Sequence, residues 1–277
     1  MRKRKIIPTS VAAYAILVLL GLFFILPFLW LIVASFTPNA NLGTVWFSSL
    51  SSISLDNFRY IFDNGYAKGY ENSLVLGISN MVLVVALSCG AGYTLSRYSF
   101  RFKQSVMLFI LFCTGLPILA LIFPLYAMYV QLGLIDNTGG VILFFVASSL
   151  PFNTWLMKNF LDSVSVDLEE AAWVDGCSTF GSFWRIVLPL SGPGIAVVGI
   201  LSFIAAYTNF FVPFIIYTTT DKFPASVQLF SFFSSYGAVN YGQIAAYAML
   251  YTLPAVALYM FVSRFFVKGI NIGGTKG

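Results

Sequence analysis

Long apolar segments, separated by short zones that carry the charged residues, constrain the fold of this chain more than any other feature. Each segment holds about 20 or more mostly apolar residues, which is the length that a helix needs to cross a membrane. Only 9% of the 277 residues are charged, whereas soluble domains contain roughly 25%. The sequence therefore predicts a membrane protein with several spans.

The apolar segments predict six transmembrane helices. Backbone polar groups must be paired internally in lipid, and the segments are continuous rather than alternating, so helices are favoured over a β-barrel. We expect an all-α fold, with a basic segment at residues 1–10 and a single membrane domain at residues 11–277. The spans are expected near residues 11–35, 74–95, 106–129, 139–157, 193–217 and 243–262.

The basic residues predict the orientation of these spans. If both termini are cytoplasmic, twelve of the 15 Lys and Arg residues lie inside, and only Arg59, Lys68 and Lys222 lie outside. The positive-inside rule therefore favours cytoplasmic N and C termini. Because topology accounts for the net charge of +5, nucleic-acid binding is not expected. The first span is too long for a signal peptide and lacks a cleavage site, so we expect it to be retained.

The sequence also lacks the residues that several chemistries require. It contains no His, which is the usual acid–base group at neutral pH and a common zinc ligand. It contains no phosphate-binding G-x-x-x-x-G-K-[ST] loop, no G-x-S-x-G and no H-E-x-x-H. The three Cys residues show no metal-binding spacing and predict no disulfide. We expect no catalytic site, no metal and no cofactor, and we expect a partner to supply the energy.

The segment 158–190, between the fourth and fifth predicted spans, has the pattern of two short helices. Ser165 can cap the first helix, whose early turns carry Asp167, Glu169 and Glu170, where the helix dipole favours anions. Gly176 then follows the C-terminus of this first helix, a position that commonly adopts a positive φ.

The second helix of this segment carries aromatic residues. Ser178 or Thr179 can cap it, Phe180 and Trp184 lie within it, and Pro189 is expected to end it. Exposed aromatic side chains beside a membrane predict either a docking site for a partner protein or an amphipathic element on the lipid surface.

The spacing in this loop resembles a known signature. Glu170-Ala171-Ala172, three residues, Gly176, nine residues and Ile186-Val187-Leu188-Pro189 resemble the E-A-A-x3-G-x9-I-x-L-P signature of permease subunits of bacterial ABC importers. Further segments resemble the carbohydrate-uptake, maltose-permease-like branch: Asn72-Ser73-Leu74, the segment from Ala91 to Arg97, Pro124-Leu125-Tyr126, Pro151-Phe152, Trp155-Leu156-Met157 and Phe266-Val267-Lys268-Gly269. The resemblance runs from about Leu22 to the C terminus.

The resemblance implies a type I importer permease in the membrane of a bacterial cell. It implies four kinds of partner: a second, homologous permease, two ATP-binding subunits that hold ATP and Mg²⁺, an extracytoplasmic solute-binding protein, and a sugar. In this family the segment 158–190 is the EAA loop, whose second helix fits a cleft on the ATPase subunit. The residues implied in this coupling are Glu170, Ala171, Ala172, Gly176, Phe180, Trp184 and Arg185.

Two roles remain open for Glu170. Its carboxylate either bonds to groups of the ATPase subunit or only stabilises the N-terminus of its helix. The outside loop from Thr218 to Gly242 is expected, by resemblance, to touch the docked binding protein.

The sequence identifies the solute and its contacts less specifically than it identifies the EAA loop. Six residues at apparent membrane depth are candidates for the solute pathway, although each is also typical of interhelical hydrogen bonding or packing: Asn80, Asn153, Trp155, Tyr207, Thr208 and Asn209. The stretch Tyr207-Thr208-Asn209-Phe210 departs from the Trp-Asn-Glu-Phe-like stretch that is common in relatives. A sugar is expected. Glycerol phosphate, a polyamine or an amino acid is the alternative, and a self-sufficient carrier or channel is the rival from another class.

Overall fold

The computed structural model describes residues 8–38, 40, 53–115, 117–234 and 239–273, and within these ranges the regular structure is entirely helical. The all-α prediction is therefore confirmed. The helices are, in order, α1 Pro8–Ser35, α2 Asp56–Asp63, α3 Ala67–Arg97, α4 Lys103–Thr114, α5 Ile118–Gln131, α6 Thr138–Asp162, α7 Asp167–Val174, α8 Thr179–Ser182, α9 Leu188–Leu190, α10 Gly192–Tyr207, α11 Phe211–Ile216, α12 Ala225–Ser234 and α13 Tyr241–Gly273.

Five helical segments are long and apolar enough to cross a membrane. They are Ala13–Ser35, Ala67–Arg97, Thr138–Asp162, Gly192–Ile216 and Tyr241–Ser263. Most of the basic segment 1–10 lies outside the described residues.

The prediction of one continuous helix at residues 106–129 is wrong. The structure has two shorter apolar helices there, because α4 ends at Thr114 and α5 begins at Ile118. Pro117 is extended, with φ −71° and ψ 119°. It has no N–H with which to continue the helical hydrogen bonds.

The predicted span at residues 193–217 is also interrupted. α10 ends at Tyr207 and α11 begins at Phe211. The third residue of α11 is Pro213, which cannot donate to the carbonyl of Asn209 four residues earlier. That carbonyl instead accepts a hydrogen bond from Ser226 Oγ at 2.8 Å.

The described residues group into two compact units, which lie within residues 1–67 and 229–253 and within residues 68–228 and 254–277. In the first unit, the buried Asn57 of α2 holds the end of α1. Its Nδ2 atom donates to the carbonyl oxygens of Ser35 and Thr37, both at 3.0 Å. A Cβ on Gly242 would lie 2.5 Å from Asn57 Nδ2, so only glycine allows α13 this approach.

The second unit contains the EAA loop and two apolar clusters in which α3, α6 and α10 meet. One cluster consists of Leu76, Tyr129, Val141, Phe145, Ala206, Val212, Ile216 and Tyr217, and the other of Val84, Cys89, Tyr93, Val146, Met157, Leu161, Val187 and Val198. Small residues bring the helices close. A Cβ on Gly77 of α3 would lie 2.7 Å from the Phe203 ring of α10.

Asp136, in the loop between α5 and α6, holds the loop that follows α11. Its carboxylate accepts hydrogen bonds from the amides of Thr218 and Thr219, at 3.0 and 3.1 Å, and from Lys222 Nζ, at 2.7 Å. Asp136 adopts φ +57°, a conformation that Asp tolerates better than most residues. Hydrogen bonds from Lys222 and then Thr219 lower the pKa of Asp136 below its ordinary value.

We expect Asp136→Asn to loosen residues 218–222, because the amide keeps an acceptor but loses the charge that holds Lys222. The amides of Thr218 and Thr219 should exchange their hydrogens several-fold faster in hydrogen–deuterium exchange. Because folding lowers this pKa, the carboxylate stabilises the fold at neutral pH, and the contribution disappears only as the pH falls below the ordinary Asp range.

Asp221→Asn is the matched control, since the Asp221 side chain is exposed in the same loop and should leave the exchange unchanged. Equal exchange in the two variants would contradict this role of Asp136.

Candidate functional site

The EAA loop begins with α7, which forms at an acidic stretch. Asp167, Glu169 and Glu170 all lie in its first turn, where the helix dipole favours negative charge. Ser165 Oγ accepts a hydrogen bond from the Asp167 amide at 3.3 Å, although the N-cap position itself is one residue later than predicted, at Val166. The chain then reverses at Gly176, whose φ of +86° confirms the predicted left-handed conformation.

The second helix of the EAA loop begins as predicted but does not end as predicted. Ser178 Oγ accepts a hydrogen bond from the Gly181 amide at 3.1 Å and so caps α8. The expectation that Pro189 ends the helix is wrong, because a π-helical turn at Phe183–Val187 leads directly into α9. A π turn adds a residue to the helical ring, so it relieves the clash of a proline ring with the carbonyl four residues earlier. We call residues 179–190 the coupling helix, after the role that the resemblance implies.

Two contacts fix the angle between α7 and the coupling helix. Trp173 Nε1 donates to Ser182 Oγ at 3.1 Å, and Ser182 is fully buried. A Cβ on Gly181 would lie 2.8 Å from Cys177 Sγ, so the small residue lets the turn pack closely. The hairpin is therefore a defined element rather than a loose loop.

The outer surface of this hairpin is aromatic and exposed. Phe180 is 71% exposed and Trp184 is 56% exposed, and their ring centroids lie 6.1 Å apart. Of the other predicted coupling residues, Glu170, Ala171 and Arg185 are exposed as well. Ala172 lies on the buried face of α7, so it packs the hairpin rather than offering a surface.

The sequence reasoning missed the most buried charged group of the loop. Glu169 is 0% exposed, whereas its neighbour Glu170 is exposed. Glu169 Oε2 accepts a hydrogen bond from the Tyr93 hydroxyl at 2.8 Å, and Oε1 pairs with Arg97 Nε. Helical spacing could have revealed this, because Glu169 and Ala172 share one face of α7 at i and i+3.

Arg97, the last residue of α3, completes this contact. One terminal NH₂ group of its guanidinium donates to the carbonyl of Val164 at 2.8 Å, and the other to Ser96 Oγ at 3.1 Å. Only 10% of its side chain is exposed. We call Tyr93, Arg97 and Glu169 the α3–α7 brace.

Three of the six solute-pathway candidates are buried between helices. Asn80 of α3 is fully buried, and its Nδ2 atom donates to the carbonyl of Ser202 in α10 at 2.7 Å and to Ser149 Oγ in α6 at 3.3 Å. Asn153 is also buried and bonds the carbonyl of Ser149 in its own helix. Tyr207 is 1% exposed. Of these contacts, those of Asn80 position α3 against α6 and α10.

The remaining three candidates keep exposed surface. Trp155 is half-buried beside Phe152, and Thr208 is exposed at the break between α10 and α11. Asn209 is half-buried, and its Oδ1 atom accepts from the Val212 amide at 3.1 Å, so it caps α11.

A cavity of about 440 Å³ lies between α3, α4 and α6, and its lining includes Ala91, Val106, Ile110 and Pro151. None of the six solute-pathway candidates lines it. Within the described ranges, no group of three or more Cys, Asp or Glu side chains could hold a metal ion.

Comparison with known proteins identifies the family. Residues 83–272 match the model of the binding-protein-dependent transport system inner membrane component. The chain belongs to this family. It is thus a multi-pass membrane permease of an ABC importer, a transport subunit rather than an enzyme.

The permease is similar over almost its full length to several transport proteins of Bacillus subtilis. It is 32% identical over 269 residues to the maltodextrin transport system permease protein, covering 97% of this chain and 96% of that protein. It is 31% identical over 264 residues to the arabinooligosaccharides transport system permease protein, covering 94% and 93%. It is 29% identical over 276 residues to the galactooligosaccharides transport system permease protein, covering 96% and 95%.

The fold of the permease is similar to that of a chain in the crystal structure of a bacterial ABC transporter that imports the acidic polysaccharide alginate. The TM-score is 0.80 at 20% identity, and the match covers 96% of this chain and 99% of that chain. At this identity the likeness shows the fold alone.

Gly176→Val should destabilise the hairpin, because a β-branched residue in the left-handed region costs roughly 1–2 kcal/mol or more. We expect cleavage of residues 173–180 by a nonspecific protease to accelerate about fivefold or more, since 1–2 kcal/mol corresponds to a factor of about 5–30 in an equilibrium. Mass spectrometry of the detergent-solubilised permease measures this rate.

Gly192→Val is the matched control, because a Cβ there meets nothing within 4 Å and φ is not positive. Gly176→Asn should lie between the two, since Asn tolerates the left-handed region. Cleavage of Gly176→Val at the wild-type rate would show that the turn does not require its conformation.

Proposed function

We propose that this permease forms half of the translocation pathway of an ATP-driven oligosaccharide importer and is driven through its coupling helix. The observation that carries the proposal is the pair of exposed aromatic side chains, Phe180 and Trp184, on a hairpin fixed by Gly176 and by the Trp173–Ser182 hydrogen bond. Aromatic anchors dominate the energetics of protein interfaces.

The proposed membrane topology has six crossings with both termini in the cytoplasm. The charge distribution supports this orientation. In the third crossing, the 12 residues of α4 and the 14 residues of α5 cross together, because at 1.5 Å per residue neither helix alone reaches the ~30 Å of a hydrocarbon layer. Irregular backbone at such depth is tolerated where it is buried in protein or lines a water-filled path.

The proposed complex contains a second, homologous permease subunit, two cytoplasmic ATP-binding subunits and an extracytoplasmic binding protein. The ATP-binding subunits hold ATP and Mg²⁺ and close on the nucleotide, which draws the coupling helices of the two permeases together. The pathway then opens outward to accept solute, and hydrolysis resets it. The ATP-binding subunits thus supply the differential binding between two states that a population shift requires.

The proposed solute is a neutral oligosaccharide. The names of the maltodextrin, arabinooligosaccharide and galactooligosaccharide permeases support this class. The candidates that keep exposed surface, Trp155, Thr208 and Asn209, are uncharged. Aromatic faces and neutral hydrogen-bonding groups suit sugars, so these three are the proposed contacts, while Asn80, Asn153 and Tyr207 hold the surrounding helices.

Phe180→Ser combined with Trp184→Ala should disconnect the permease from its motor, because both changes remove exposed apolar surface without emptying the core. We expect loss of at least about 90% of the ATP-binding subunits that copurify with the permease. Uptake of labelled oligosaccharide into proteoliposomes should fall in parallel.

Phe102→Ser is the matched control, since Phe102 is 62% exposed in the loop between α3 and α4, outside the EAA loop. It should leave copurification intact. Normal copurification and uptake in the Phe180 and Trp184 variant would refute the coupling role, and uptake by this chain alone would favour a self-sufficient carrier.

The binding protein that delivers solute to this permease should contain a neutral oligosaccharide when it is purified from its own cells. Mass spectrometry of the released ligand measures this directly. An amino acid, a polyamine or glycerol phosphate in the binding site would overturn the proposed solute class and leave the coupling mechanism standing.

A further inference from the structure

The two adjacent glutamates of the EAA loop face opposite ways. Glu170, the signature residue, is exposed, and nothing in the described fold covers it. Glu169 is 0% exposed and its two carboxylate oxygens are bonded separately, one to Tyr93 and one to Arg97. A charge buried in this way is retained only when it is paired and hydrogen-bonded. Glu170 thus lies on the outer surface of the loop, whereas Glu169 faces α3 of its own chain.

The guanidinium of Arg97 binds the loop at two separate points. It pairs with Glu169 in α7 and donates to the carbonyl of Val164 ahead of α7. A planar guanidinium holds several acceptors in a fixed arrangement, which a lysine cannot do. Arg97 therefore fixes both the position and the orientation of α7 relative to α3.

The same end of α3 is also held against α6. Ser96 Oγ donates to Asp162 Oδ1 at 2.6 Å. A Cβ on Gly92 would lie 3.1 Å from the backbone nitrogen of Lys158 and 3.2 Å from Met157 Cγ. Contacts with α6 and with α7 therefore bind the start of the EAA loop to the last two turns of α3.

The opposite end of α3 is bound to another loop. Asn72 Nδ2 donates to the carbonyls of Asp221 and Phe223, at 2.7 and 3.1 Å. Ser73 Oγ accepts from the Ala225 amide at 2.9 Å. Residues 218–222 of the same loop are held by Asp136, so the loop at residues 218–225 is an ordered element that α3 contacts directly.

α3 is suited to transmit displacement between these two loops. It has 31 residues, which is about 46 Å of helix at 1.5 Å per residue. Of the five candidate spans, α3 is the one without proline, and proline is the commonest cause of sharp helix kinks. A continuous helix that is bonded at both ends moves both ends together.

We propose that α3 is a rod that couples the EAA loop to the loop at residues 218–225, with the α3–α7 brace and Asn72 as the positioning residues at its two ends. The inference rests on the proposed function, under which these loops face the ATP-binding subunits and the binding protein. Displacement of the coupling helix then shifts the outer loop. By linkage, docking of the binding protein at that loop changes the binding free energy of the ATP-binding subunits at the coupling helix by the same amount.

The test uses the complete importer in lipid nanodiscs with three readouts: copurified ATP-binding subunits, basal ATP hydrolysis, and stimulation of hydrolysis by the solute-loaded binding protein. Glu169→Gln removes the charge of the brace but keeps its shape. We expect normal copurification and normal basal hydrolysis, with stimulation reduced about tenfold, a typical magnitude for coupling between sites. Glu170→Gln is the matched control, and it should instead reduce copurification.

The two ends of the rod are tested together. Asn72→Ala should also reduce stimulation about tenfold, and the Glu169→Gln, Asn72→Ala double variant should be no worse than the poorer single variant, because both act through one element. Arg97→Lys should lose less stimulation than Arg97→Ala. A purely local structural role would reduce all three readouts together and would show no such order.

Each contrary result has a definite meaning. Full stimulation in Glu169→Gln, multiplicative losses in the double variant, or loss of copurification in Glu169→Gln would overturn the rod. If Glu169→Gln does not accumulate in the membrane, Tyr93→Phe, which removes one hydrogen bond, must reduce stimulation measurably for the proposal to stand. Failure of the wild-type permease to retain ATP-binding subunits would instead refute the proposed function itself.

Discussion

The need to pair every backbone N–H and C=O group out of contact with water governs this structure. It makes each long apolar segment a helix, and it makes the interruptions informative. At Pro117 the helix cannot continue, and α4 gives way to α5. At Pro213 the carbonyl of Asn209 loses its helical donor and accepts a hydrogen bond from Ser226 Oγ instead. At this second break, a side chain from another segment satisfies the backbone.

The fold also depends on close approach between its helices. Gly77 and Gly92 allow α3 to lie directly against α10 and α6, and buried amides such as Asn80 then bridge the backbones. In lipid, apolar contact between helices gains little over contact with acyl chains, so small residues and interhelical hydrogen bonds carry the association. This arrangement explains why Asn80, a candidate for the solute pathway, is buried and bonded to two neighbouring helices.

Much of this could be read from the sequence, for physical reasons. Helix type follows from apolar length, and the hairpin of the EAA loop follows from Gly176, whose positive φ glycine adopts at little cost. The helix end predicted at Pro189 was wrong, because a π turn precedes this proline. No residue type is characteristic of a π turn, so the sequence does not predict one. The α3–α7 brace was missed because Arg97 and Glu169 lie 72 residues apart, and pairing over such a distance depends on packing that no local pattern encodes.

The exposed aromatic pair on the coupling helix also bears on how much of this protein a cell can keep. Phe180 and Trp184 are left in water whenever no partner covers them, and apolar patches of this kind promote aggregation. A permease subunit without a partner on this surface is therefore prone to aggregate. If the ATP-binding subunits cover this surface, as in the proposed function, the amount of permease in the membrane should follow the supply of those subunits.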